Sequence, residues 1–198
     1  MEKIMIASRN KGKIKEFTEF FRPYGIEVTS LVDFETIPDI EETGESFEEN
    51  AKIKAEQVAD IVRMPVLADD SGLTVDALDG APGIYSARYA GEGSSDDENN
   101  EKLLEALRDV PKEKRTARFV CVLAISVPGE ETVYYKGYCE GEIGFEAKGE
   151  NGFGYDPVFI PKGYDRTMAE LSSEEKNAIS HRSQAFKQLE RWEKISSR

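Results

Sequence analysis

The apolar positions of this chain follow two rhythms, one of short continuous runs and one of helical spacing. Lys3–Ala7 is a short apolar run and predicts a first strand. A polar loop, Ser8-Arg9-Asn10-Lys11-Gly12-Lys13, comes next. Ile14, Phe17 and Phe21 then recur at i, i+3 and i+7, which predicts a helix to about Phe21. Ile26–Leu31 predicts a second strand. Phe47, Ala51, Ala55, Val58 and Val62 form one apolar stripe, so a helix is expected from Phe47 to about Val62, opened by a Ser46/Glu49 capping box. Met64–Leu67 and Leu73–Val75 predict short buried strands on either side of Ala68-Asp69-Asp70-Ser71-Gly72. A Ser95/Glu98 box predicts a helix that buries Leu103, Leu104 and Leu107. Thr116–Val127 and Thr132–Glu140 flank Pro128-Gly129-Glu130 as an antiparallel hairpin, and Val158–Ile160 predicts a further strand. A Ser172/Glu175 box opens a C-terminal helix carrying Ile179, Phe186, Leu189 and Trp192.

Composition narrows the classes. At 198 residues and 39% hydrophobic content, the chain is expected to form a single domain over residues 1–198, with two lobes around a shared cleft. A net charge of −13 argues against nucleic-acid binding, which needs a basic field, but leaves room for a small anion held by a local basic patch or a divalent metal. Cys121 and Cys139 lie in apolar segments without metal-ligand spacing and read as buried thiols, which suits a cytoplasmic protein. The N-terminus turns polar too soon for a signal peptide, and no run approaches a membrane span, so no membrane partner is expected.

Candidate chemistry lies in a few stretches. Asp69 and Asp70 stand between apolar segments beside Ser71 and Gly72. Acids in that setting need a cation or water, which points to a metal and general-base site; Asp and Ser are also ordinary turn formers, so a polar turn fits equally. The Ser8–Lys13 loop enters a helix, where free N–H groups, the Asn10 amide and the Lys13 ammonium favour an anion, although Asn10 also suits a plain N-cap. Between Asp33 and Glu49 there are eight acids and no Lys or Arg. Of these, Glu41 and Glu42 precede the helix cap and are free to meet a hard cation. Gly149–Pro157 sets glycines around Phe153, either as a base-stacking loop or as a hairpin with Phe153 in the core. Lys176, His181 and Arg182 fall near the start of the last helix, as ligand contacts or as solvated charge, and His181 is the only histidine, which makes a zinc site improbable.

Taken in order, Ser8–Lys13, Glu42-Thr43-Gly44-x-Ser46-Phe47-x-Glu49-Asn50-Ala51, Ala68–Leu73, Gly80-Ala81-Pro82-Gly83-x-Tyr85-Ser86-Ala87-Arg88, Gly152–Pro157 and Ser180-His181-Arg182 resemble the ordered signatures of the inosine triphosphate pyrophosphatases, the XTP/dITP diphosphatases. The resemblance runs from about Lys3 to the C-terminal helix, with no departure at the motif positions. It implies an α/β fold: an elongated, long mixed sheet flanked by helices, two lobes around a nucleotide cleft, and a homodimer. It implies hydrolysis of ITP, dITP and XTP to the monophosphate and diphosphate with Mg2+. Carried over by position, Ser8, Arg9, Asn10, Lys11, Gly12, Lys13 and Ser71 would hold the phosphates. Glu41 (favoured over Glu42 by the family pattern) and Asp70 would bind the metal, with Asp70 also accepting the water proton. Phe153, Gly154, Tyr155, Asp156, Lys176, His181 and Arg182 would hold the nucleoside. A Maf-like enzyme acting on pyrimidine or modified nucleotides, and a nucleotide-binding module without catalysis, are the alternatives.

Overall fold

The chain alternates strands and helices around one mixed sheet. The computed structural model describes residues 1–192 and Ile195; residues 193, 194 and 196–198 of the expected domain lie outside the described residues. The strands are β1 (Lys3–Ile6), β2 (Glu27–Ser30), β3 (Val66–Val75), β4 (Thr116–Ser126), β5 (Val133–Ile143) and β6 (Phe159–Pro161). They lie in the order β2-β1-β3-β4-β5-β6. β1 is parallel to β2, with Lys3 opposite Glu27, and parallel to β3, with Met5 opposite Val66; β5 and β6 are antiparallel. The helices are α1 (Lys11–Phe21), α2 (Phe47–Val62), α3 (Asp96–Ala106), α4 (Ser173–Ile179) and α5 (His181–Leu189).

Two compact units divide the chain. The first comprises Met1–Asp70, Val122–Lys136 and the chain from Ala185; the second comprises Ser71–Cys121 and Gly137–Gln184. The first is built on β1-α1-β2 and α2. Ile4, Met5, Phe17, Phe21, Ala51, Ala55, Val58 and Leu67 are each fully buried there, as the periodicity requires. The second buries Leu73, Val75, Leu103, Leu107, Phe119, Val158 and Phe159 in one cluster. Cys121 and Cys139 are buried and form no disulfide. Among the described residues no helix is long and apolar enough to cross a membrane.

Three sequence expectations change. The Ala68–Gly72 stretch is not a turn between separate strands: β3 runs unbroken from Val66 to Val75. Its acids are tolerated because successive strand side chains point to opposite faces, and each face supplies a lysine. The expected C-terminal helix is two helices. Ser180, extended at φ −60° and ψ 150°, ends α4, and its hydroxyl then accepts from the Ser183 N–H at the start of α5. The Ser46 box is half formed: the Ser46 hydroxyl accepts from the Glu49 N–H, but the Glu49 carboxylate accepts from the N–H of Glu45.

Candidate active site

In the first unit the site grows from the middle of β3. Asp69 and Asp70 are 4% and 8% exposed, which removes the solvated-turn reading. Lys13, in the first turn of α1, donates to Asp69 Oδ1 at 2.9 Å. Lys54, on α2, donates to the Asp69 carbonyl at 2.7 Å, lies 2.9 Å from Glu42 Oε1 and stands 3.8 Å from Asp70 Oδ1. Asp70 Oδ2 is buried and has no hydrogen-bond partner among the described residues.

Burial pushes the Asp70 carboxyl up to about 6; the charges of Glu42 and Asp69 add to the effect, and Lys54 and Lys13 oppose it. Lys54 is buried too, which disfavours its charge, yet Asp70, Asp69 and Glu42 outweigh burial and hold the ammonium above the ordinary lysine value. A carboxylate of this kind, ionised at neutral pH against a desolvation penalty and with one oxygen unused, fits a hard cation or the proton of a water. Among the described residues no group of three or more His, Cys, Asp or Glu forms a closed metal cage. The donor set therefore suits an ion that takes one or two protein carboxylates and finds its remaining oxygens elsewhere.

The acidic segment is pinned, not simply solvated. Arg9 donates to the Leu31 and Ile37 carbonyls at 2.7 and 2.6 Å and to Asp39 at 3.1 Å. Asn50, 1% exposed, accepts from the Gly44 N–H at 2.8 Å. This anchoring brings Glu42 to Lys54, whereas Glu41, the carboxylate the resemblance favours, is exposed. In the entry loop Asn10 serves as the N-cap of α1, accepting from the Lys13 N–H, and Ser8 Oγ accepts from the Asn10 N–H. Lys11 and Gly12 are exposed in the first turn of α1.

The second unit gathers the other predicted residues. Phe153 is 48% exposed, so it is not a core side chain, and Lys176 Nζ lies 4.6 Å from its ring centroid. Asp156 is 4% exposed and accepts from Lys176 at 2.6 Å and from the Phe153 N–H at 3.1 Å. Burial raises the Asp156 carboxyl, with Lys176 opposing. Gly152 has φ +76°, and an added Cβ would overlap Asp156 Oδ2. Tyr155 is used differently from the rest of its loop: it is buried and its hydroxyl donates to the Ser86 carbonyl at 2.6 Å. The α4–α5 break turns His181 onto Phe119, ring centroids 4.9 Å apart and stacked, and buries Arg182 to 5% exposure. An Arg182 amino group comes within 3.5 Å of Ser71 Oγ. The solvated-charge reading of this pair does not hold.

Sequence reasoning missed Lys54. Its signal was present: Lys54 is seven residues from Phe47 and falls on the apolar stripe of α2, where a lysine needs a buried partner.

The chain is similar over nearly its whole length to known proteins. A dITP/XTP pyrophosphatase of Oceanobacillus iheyensis is 60% identical over 193 residues, covering 97% of this chain and 98% of that protein. One from Bacillus subtilis is 56% identical over 189 residues, 96% of each chain. The structure of the Staphylococcus aureus Ham1 protein superposes with a TM-score of 0.91 at 48% identity, covering 98% of this chain and all of that one. The model of the Ham1 family matches residues 4–192, so both the strand that carries Asp70 and the loop of Phe153 fall inside it, and the chain belongs to the Ham1 family.

Proposed function

We propose that this protein hydrolyses the non-canonical purine nucleoside triphosphates ITP, dITP and XTP to the monophosphate and diphosphate. The observation that carries the reading is Asp70: a buried carboxylate with one unpartnered oxygen, raised to about 6 yet still ionised at neutral pH. Membership of the Ham1 family and the names of the pyrophosphatase relatives support it.

In this mechanism Asp70 holds the attacking water and takes its proton as the α–β phosphoanhydride is cleaved, a contribution of ~10²–10⁴-fold. Lys13 and the free N–H groups at the start of α1 balance phosphate charge. Asp70 and one acidic-loop carboxylate would hold Mg2+, which neutralises phosphate charge when bound. Glu42 is the better placed of the two loop carboxylates because it already shares Lys54 with Asp70. Ser8–Lys13 and Ser71 act on the phosphates. Phe153 stacks the base, and Lys176, His181 and Arg182 offer donors to acceptors such as a purine 6-oxo group. Adenine carries an amino group there and would leave those donors unpaired, which costs several powers of ten in discrimination. The same reading places the protein in the cytoplasm as a homodimer.

The test is diphosphate release with Mg2+ from ITP, dITP, XTP, ATP, dTTP and UTP. Release confined to the 6-oxo purines ITP, dITP and XTP is expected. Turnover of dTTP or UTP instead would favour a Maf-like enzyme, and tight ITP binding without diphosphate release would make the protein a binding module.

A further inference from the structure

The loop that presents Phe153 is held by groups outside it. Gly154 donates its N–H to Asp96 Oδ2 at 2.7 Å, and its carbonyl accepts from Asn100 Nδ2 at 2.9 Å. Asp96 and Asn100 are four residues apart in the first turns of α3, hence on one face of the helix. Both backbone polar groups of a single loop residue are thus gripped by one helix. The helix is itself fixed at that end: Ser95 and Glu98 form a reciprocal capping box, and Asn99, 3% exposed, accepts from the Ala90 N–H at 2.7 Å and donates to the Ala87 carbonyl.

Two features set this grip apart from ordinary loop packing. Asn100 is 5% exposed and its Oδ1 is buried without a hydrogen-bond partner, so half of the amide is desolvated for no return. A residue retained only for stability would shed that penalty. Phe153, immediately before the gripped glycine, is a large apolar side chain held 48% exposed, its N–H bonded to Asp156 Oδ2 and its ring beside Lys176 Nζ. Tyr155, on the other side, is anchored inward by its bond to the Ser86 carbonyl. With Gly154 fixed between an inward Tyr155 and an outward Phe153, the ring is presented before any ligand arrives, which lowers the ordering cost of binding.

We propose that Asp96 and Asn100 are positioning residues for nucleoside recognition, gripping Gly154 so that Phe153 is preorganised as the base-stacking surface. The inference rests on the assignment of Phe153 to the base in the proposed function. Neither residue touches the reacting atoms, so their loss shows in KM and not in kcat.

The test compares Asp96→Ala, Asp96→Asn, Asn100→Ala and Asp97→Ala by steady-state diphosphate release from ITP. Each alanine variant that removes a Gly154 bond is expected to raise KM about fivefold with kcat within a factor of two, the scale of one hydrogen bond. Asp96→Asn keeps an acceptor of the same shape and is expected to keep the parent KM. Asp97→Ala removes a first-turn acid of α3 without touching Gly154 and is also expected to keep it. Parent KM in both Asp96→Ala and Asn100→Ala, or an equal rise in Asp97→Ala, overturns the grip; so does a fall in kcat at unchanged KM. Should the parent protein itself release no diphosphate from ITP, the proposed function fails. The grip then stands or falls on ITP affinity measured by calorimetry with the same variants.

Discussion

Asp70 carries an electrostatic load that a structural residue would discard. Its carboxyl stands at about 6 in the folded protein against an ordinary 3.8, mainly through burial. The folded state therefore binds the proton more tightly than the unfolded chain. This contribution to stability is largest below about pH 4 and is lost as pH rises through about 6. At neutral pH the ionised group costs about 3 kcal/mol in the metal-free protein. Asp70→Asn should accordingly raise the urea midpoint of metal-free protein at pH 7.5, with the gap over the parent shrinking toward pH 4. The same variant should lose turnover by ~10²–10⁴-fold. A variant that is no more stable than the parent at pH 7.5 would mean that Lys54 fully offsets the burial. The residue scale is also where the sequence was least explicit. Asp70 was visible as a candidate, but the choice between turn and site depended on Lys54 and Lys13, which are 16 and 57 positions away along the chain. Pairing at that separation is a product of the fold and has no local spacing to read.

At the level of elements, legibility follows the strength of local signals. α2 falls on Phe47–Val62 as expected because Ser46 and the apolar stripe mark the same start. The sequence of β3 reads as two short strands because Asp, Ser and Gly are turn formers, and the lysines on either side let them sit in a strand. The split between α4 and α5 has neither Gly nor Pro to announce it; its one local mark is Ser180, three residues before Ser183, which acts as a cap in the middle of a helical pattern. The Phe153 loop was legible through its glycines, and Gly152 shows why. Its φ of +76° suits glycine, and a side chain there would overlap Asp156 Oδ2 and come within 3.1 Å of Lys176 Nζ. Gly152→Ala is expected to lose ~1–2 kcal/mol of stability from the left-handed backbone. It should also raise KM for ITP on the order of tenfold by displacing the Asp156–Lys176 pair, with kcat little changed. Thermal denaturation and steady-state kinetics on one preparation check both, and an unchanged KM would separate that pair from nucleoside binding.

At the scale of the whole molecule the problem is charge. A chain of net charge −13 is proposed to act on a polyanion. Its surface therefore repels the substrate, and attraction has to come from local cations and a bound metal. Lys13 and Lys54 are both drawn in against Asp69, Asp70 and Glu42, so the carboxylate cluster is already largely neutralised in the metal-free protein. A divalent ion must compete with Lys54 for Asp70 and Glu42, which predicts modest affinity alone and tighter binding once phosphate oxygens complete the coordination. Mg2+ added to metal-free protein should raise the unfolding free energy by about 2.7 kcal/mol at a hundredfold excess over its dissociation constant. NaCl at matched ionic strength must serve as the baseline, because screening alone relieves self-repulsion in a chain this acidic. Against that baseline, Asp70→Asn should abolish the Mg2+ increment and Glu42→Gln should reduce it, while Glu41→Gln leaves it at the parent value. If Glu41→Gln removes the increment and Glu42→Gln does not, the metal carboxylate is Glu41, and Glu42 serves only to hold Lys54. No specific increment in the parent, with or without a nonhydrolysable triphosphate, would leave Asp70 as a base that works without a divalent ion.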